Sequence, residues 1–127
     1  MKKLTVVVPC YNEEKALPFF IEEMSVQSKN IQYEIEYLFV NDGSKDKTFN
    51  VLLDLKQKYD HMNIHIINFS RNFGKEAGML AGLKNSTGDL VVIMDADMQD
   101  PPFLLPKMID LVENNDVDSV ATYRVTR

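Results

Sequence analysis

Asp95 and Asp97 are separated by one residue and follow an apolar run, Val91-Val92-Ile93-Met94. Side chains alternate faces along a strand, so the two carboxylates point the same way if extended geometry persists past the run. Converging carboxylates repel each other unless a cation or a donor sits between them. The chemistry this suggests is a divalent-metal site holding a phosphorylated ligand; the alternative is a solvated turn at a strand end. Three more polar clusters accompany the pair: Pro9-Cys10-Tyr11-Asn12-Glu13, Asn41-Asp42-Gly43-Ser44 and Ser70-Arg71-Asn72. Tyr11 can cover a base or ribose face, and Asp42 can accept from a base or sugar donor. Asp97, together with Asp95, can hold Mg2+ or Mn2+ on a diphosphate. Mg2+ is commonly bound through one or two carboxylates plus substrate phosphates.

The elements that must position these groups are legible from the apolar pattern. Leu4 to Pro9 is a β-branched strand ended by a proline that cannot donate to a ladder. Leu17, Phe20, Ile21 and Met24 recur at helical spacing, with Asn12 as the expected N-cap and Pro18 confined to the first turn. Tyr33 to Val40 reads as a second strand, with Ile35, Tyr37 and Phe39 on one face. Glu34 and Glu36 mark its other face as partly solvated at the start. Asp46 is placed to cap a second helix, and Ile64, Ile66 and Ile67 mark a third strand. A third helix runs from Phe73 to Lys84 and carries Gly74, Gly78 and Gly82 four apart. Glycine costs about 1 kcal/mol per helical position relative to alanine, so the stripe implies close approach. For Gly78 and Gly82 the expected neighbour is a sheet; Gly74 could admit phosphate or ribose to the backbone.

Leu90 to Met94 is the fourth strand, Leu104 to Val112 the fourth helix, and Ser119 to Tyr123 a fifth strand. This alternation predicts an α/β fold: a doubly wound, mostly parallel sheet with helices on both faces. Ligands of such sheets bind beyond the carboxyl ends of the strands. Every polar cluster follows a strand, so all four should meet at that edge.

Composition narrows the function classes. A chain of 127 residues suits one domain, and 45% hydrophobic with 26% charged residues is an ordinary globular balance. A formal charge of -5 lends no support to a nucleic-acid partner. Cys10 is the only cysteine, which excludes an intrachain disulfide and a cysteine metal cluster. It reads as an apolar neighbour of the first strand, and His61 and His65 lack metal-ligand spacing. No apolar run approaches the ~20 residues of a membrane span. There is no G-x-x-x-x-G-K-[ST] and no G-x-G-x-x-G after the first strand, so neither a P-loop nor a dinucleotide fingerprint is present. A phospho-acceptor domain would carry its acidic pair where Pro9 and Tyr11 stand.

Four segments in order carry a resemblance: Val8 to Glu14, Val40 to Asp46, Ser70 to Ala77 and Met94 to Pro102. The chain resembles the N-terminal half of a family 2 glycosyltransferase of GT-A fold. It is most similar to the polyprenyl-phosphate sugar transferases, which include the bactoprenol glucosyltransferases and the dolichol-phosphate mannosyltransferases. The resemblance implies that Pro9, Tyr11 and Glu13 form the nucleotide loop and that Asp42 binds the nucleoside. It also implies a D-x-D metal motif at Asp95 and Asp97, with Gln99 beside the metal and Lys75 near the nucleotide. Arg124 would meet the diphosphate or the acceptor phosphate, acting in catalysis with Asp95 and Asp97. Met98 and Phe103 depart from the usual leucine and glutamate without removing a ligand.

The implied reaction is metal-dependent, inverting transfer of a hexose from a nucleotide sugar to a polyprenyl phosphate, with UDP-glucose favoured over GDP-mannose. Such enzymes act at the cytoplasmic side of the membrane and continue into an acceptor region, interface helices and membrane spans. The expectation here is a soluble, cytoplasmic donor-binding fragment that turns over poorly alone, with a homo-oligomer left open. Two alternatives stand beside it: a sugar-nucleotide nucleotidyltransferase, which would want a Gly-rich basic loop after the first strand, and a non-catalytic binding or assembly module.

Overall fold

The computed structural model describes residues 2–99 and 101–114. Strands and helices alternate: β1 (Lys3–Cys10), α1 (Leu17–Gln27), β2 (Glu34–Asn41), α2 (Thr48–Lys58), β3 (Asn63–Asn68), α3 (Lys75–Asn85), β4 (Leu90–Ile93) and α4 (Leu105–Asn114). The strands form one parallel sheet in the order β3-β2-β1-β4. Two crossovers carry the chain from β1 out to β3, and the third returns it past both to the far side of β1. The order therefore reverses between β1 and β4, where a doubly wound sheet opens a crevice at its carboxyl edge. The expected fifth strand, Ser119 to Tyr123, lies outside the described residues.

Alternation along β1 sorts its side chains between two layers. Leu4, Val6, Val8 and Cys10 share a core with Leu17, Phe20, Ile21 and Met24 of α1, Tyr37 and Phe39 of β2, Leu52 of α2, and Leu105 and Ile109 of α4. The four α1 residues are those the helical spacing selected, and burying each contributes about 1.5–3 kcal/mol. Phe20 meets Phe39 edge to face at 6.1 Å. On the opposite face α3 lies against β1 and β2. A Cβ on Gly82 would stand 2.2 Å from Val7 Cγ1, and one on Gly78 would stand 3.6 Å from Pro9 Cβ. The glycine stripe therefore lets α3 lie directly on the sheet, as expected for Gly78 and Gly82.

Three local expectations are corrected. Asn12 does not cap α1, whose first turn begins after Ala16 with Pro18 inside it. Asn12 has φ +54, and its Oδ1 accepts the Lys45 N–H at 2.8 Å, so it ties two loops together instead. Glu36 is not partly solvated: it is 5% exposed. β2 is an interior strand, and the turn before β4 covers its start. The Glu36 carboxylate accepts Thr5 Oγ1 at 2.7 Å and the Thr87 N–H at 3.0 Å, with Lys3 Nζ 3.4 Å away. Burial alone would raise its pKa, but these donors and the Lys3 charge hold it down to about 2. Asp46 is not the N-cap of α2: that position is Lys47, and Asp46 serves the first turn from one residue outside it, its Oδ1 accepting the Thr48 N–H at 2.9 Å.

Candidate functional site

A cleft of about 370 Å³ lies at the carboxyl edge of the sheet. Pro9, Cys10, Tyr11 and Glu13 line it from β1, Asp42 from β2, and Asn72, Gly74 and Lys75 from the start of α3. Asp95, Ala96, Asp97 and Gln99 close it from the loop after β4. The strand register explains the convergence. Ile93, the last residue of β4, pairs with Val7, so the loop that carries Asp95 leaves the sheet beside the carboxyl end of β1, at the point where the strand order reverses. Eight of the nine residues singled out from the sequence thus share one cleft; the ninth, Arg124, lies outside the described residues.

The two aspartates do not continue an extended strand. β4 ends at Ile93, and the Met98 N–H donates to the Asp95 carbonyl at 3.2 Å, closing a turn with Met98 at φ +59. The turn buries Ala96 and leaves each carboxylate with its own partner. Lys75 Nζ contacts Asp95 Oδ1 at 2.9 Å. Gln99 clasps Asp97, with Nε2 donating to Oδ2 at 2.8 Å and the backbone N–H to Oδ1 at 3.2 Å.

Asp42 is buried and serves the loop that precedes α3. Its Oδ1 accepts the Phe73 N–H at 2.7 Å, and its Oδ2 accepts the Gly74 N–H at 3.0 Å and Asn72 Nδ2 at 3.2 Å. Gly43, at φ +63, makes that fit possible: a Cβ there would fall 2.2 Å from the backbone at Arg71 and Asn72. Cys10, Ala96 and Asn72 also line the cleft, and of these the polar Asn72 is the one whose part the sequence reading missed. The signal was present, since it closes the polar cluster after the third strand. Arg71 does not line the cleft; its guanidinium stacks over Phe73 at 4.1 Å.

The electrostatics are lopsided. Glu13, Asp42, Asp95 and Asp97 bring four carboxylates to the lining, and Lys75 is its one cationic side chain among the described residues. Burial and the Asp97, Asp95 and Asp46 charges raise the Glu13 pKa, against the lowering effect of Lys75. Burial, with Glu13 and Asp95 nearby, pushes the Cys10 thiol far up, so it is no nucleophile at neutral pH. Tyr11, 41% exposed, offers a free ring face at the rim. Among the described residues no three His, Cys, Asp or Glu side chains are grouped to hold a metal ion by themselves. With the Cys10 thiol protonated, the anionic ligand atoms of the lining are carboxylate oxygens. That set fits a hard cation such as Mg2+ or Mn2+ whose remaining ligands are phosphate and water, and suits a soft metal poorly.

The sequence model of glycosyl transferase family 2 matches residues 5–127. The chain belongs to this family. This family 2 chain is 35% identical over 127 residues to the undecaprenyl-phosphate 4-deoxy-4-formamido-L-arabinose transferase of Photorhabdus laumondii, covering all of this chain and 38% of that protein. It is 41% identical over 108 residues to the bactoprenol glucosyl transferase of Shigella phage SfX, covering 85% of this chain and 35% of the relative. It thus spans little more than a third of the length of these relatives. Among solved structures it is similar to the Pyrobaculum calidifontis mannosyltransferase in complex with GDP-Man and Mn2+, with a TM-score of 0.71 and 25% identity. That match covers 89% of this chain and 33% of the other. The GT-A fold expected for a family 2 member is the fold observed. Membership in the family sets aside the nucleotidyltransferase alternative. No helix of the described residues is long and apolar enough to cross a membrane.

Proposed function

We propose that this chain is the donor-binding half of an enzyme that transfers a hexose from a nucleotide sugar to a polyprenyl phosphate. The observation that carries the reading is the convergence of Tyr11, Asp42, Lys75, Asp95 and Asp97 on one cleft where the strand order reverses. The names of the two transferases above support the lipid-phosphate acceptor. The bactoprenol glucosyl relative favours UDP-glucose as donor, with GDP-mannose second because the structural neighbour holds GDP-Man. The lipid acceptor would set the full-length protein to work at the cytoplasmic side of the membrane.

In this reading Pro9, Tyr11 and Glu13 form one wall of the nucleotide site, and Asp42 shapes the other through the loop before α3. Asp95 and Asp97, the latter oriented by Gln99, would hold Mg2+ or Mn2+, with Gln99 as the neighbouring candidate. The bound cation supplies charge stabilisation to the departing diphosphate. The sugar C1–O bond to the nucleotide diphosphate breaks while a bond forms from C1 to an acceptor phosphate oxygen, with inversion. The acceptor oxygen is already anionic near neutral pH, so no strong general base is required. Arg124 is assigned to the diphosphate or acceptor phosphate.

Calorimetric titration with UDP, GDP, UDP-glucose and GDP-mannose, with and without Mn2+, tests the reading. Binding that requires the metal and prefers uridine supports it. Absence of metal-dependent nucleotide binding would leave a non-catalytic module instead. The isolated chain should turn over poorly, and efficient sugar transfer to a lipid phosphate would refute its description as a donor-binding half.

A further inference from the structure

The Lys75–Asp95 contact has a consequence for how ligands enter the cleft. An ammonium and a hard dication seek the same carboxylate oxygen, and Lys75 Nζ already stands 2.9 Å from Asp95 Oδ1. The other two aspartates of the cleft have partners of their own: Asp97 is clasped by Gln99, and Asp42 is engaged with Phe73 and Gly74. Lys75 is also free to leave. Its side chain is 61% exposed at the first position of α3. The preceding Gly74 has φ +102, and the space a Cβ would fill there is open. A diphosphate arriving at that opening would offer the ammonium an anionic partner in place of Asp95.

We propose that Lys75 is a placeholder for the divalent cation: it occupies Asp95 in the empty cleft and moves to the nucleotide diphosphate when metal and nucleotide arrive together. The inference rests on the cation site proposed above. It makes binding of metal and nucleotide mutually supportive, because the diphosphate takes away the metal's competitor. Metal alone meets an occupied carboxylate and binds weakly. Nucleotide alone finds a lysine already committed elsewhere.

The experiment measures Mn2+ binding by electron paramagnetic resonance in the 127-residue chain, with and without UDP, and again with GDP. Wild type, Lys75→Gln, Lys75→Arg and Asp97→Asn are compared. Without nucleotide, Lys75→Gln should bind Mn2+ roughly fivefold more tightly than wild type, the scale of losing one partly exposed ion pair. The factor by which nucleotide enhances Mn2+ binding should shrink in Lys75→Gln and recover in Lys75→Arg, which keeps the competing charge. A lysine that merely stabilised the fold would move neither quantity in this way. The placeholder role is overturned if Lys75→Gln binds Mn2+ alone no more tightly than wild type while nucleotide-dependent Mn2+ binding persists and Asp97→Asn weakens it. If wild type binds no Mn2+ even with nucleotide, the cation site itself falls and the placeholder falls with it.

Discussion

The carboxylate of Asp42, at the end of β2, accepts the backbone N–H of Phe73 at 2.7 Å. With the Gly74 N–H at 3.0 Å it fastens the loop that launches α3 and, one residue later, Lys75. A side chain that the sequence offers as a direct nucleoside ligand is thus also the latch that sets the opposite wall of the cleft.

Removing the latch should loosen that wall. Hydrogen bonds to a charged acceptor contribute about 1.5–3 kcal/mol, so Asp42→Ala should lose stability on that scale and Asp42→Asn somewhat less. Amide hydrogen exchange at Phe73 and Gly74 should accelerate in both variants. Unchanged protection at those two amides would show that the loop is held by something else.

The glycines should differ sharply in tolerance. Gly43→Ala places a methyl 2.2 Å from the backbone of Arg71 and Asn72 at φ +63, where neither side can give way easily. Gly82→Ala strikes Val7 Cγ1 at 2.2 Å, and overpacking of about 1–3 kcal/mol should outweigh the helix-propensity gain of about 1 kcal/mol. Gly78→Ala meets Pro9 Cβ at an ordinary 3.6 Å and should be neutral or stabilising. Thermal unfolding of the three variants ranks them; an equal or greater loss in Gly78→Ala would contradict the packing described for α3.

Glu36 should shape the acid limb of the stability profile. Its ordinary pKa of 4.5 falls to about 2 in the fold, so folding favours the charged form. The contribution is fully present above 4.5 and is lost as pH falls through about 2. Glu36→Gln should be less stable than wild type at neutral pH, with the gap closing on acidification. Urea unfolding across that range measures it, and a gap independent of pH would exclude the carboxylate as the cause.

Gln99 should matter through Asp97. Gln99→Ala removes the Nε2 contact at 2.8 Å but keeps the backbone donor, so Mn2+-dependent UDP binding should weaken severalfold. Asp97→Asn removes the charge itself and should weaken it by about tenfold or more, the scale of one charge-assisted contact. Calorimetric titration in the presence of Mn2+ compares them. Equal losses would mean that Gln99 contacts the ligands directly rather than acting through Asp97.

The local pattern of the sequence determined the order of elements, the buried stripe Leu17, Phe20, Ile21 and Met24, and the edge at which Pro9, Asp42 and Asp95 meet. These follow from periodicity and from the rule that parallel strands present their carboxyl ends together. Partnership was not written there. That Asn12 joins Lys45 instead of capping α1, that Glu36 is roofed by Thr87, and that Lys75 rather than a donor of its own loop faces Asp95 depend on contacts between residues far apart in sequence. Those pairings arise when the third crossover lays α3 across β1 and β2 and delivers β4 to the other side of β1. Only the tertiary structure, which fixes register and covers strand ends, could decide them.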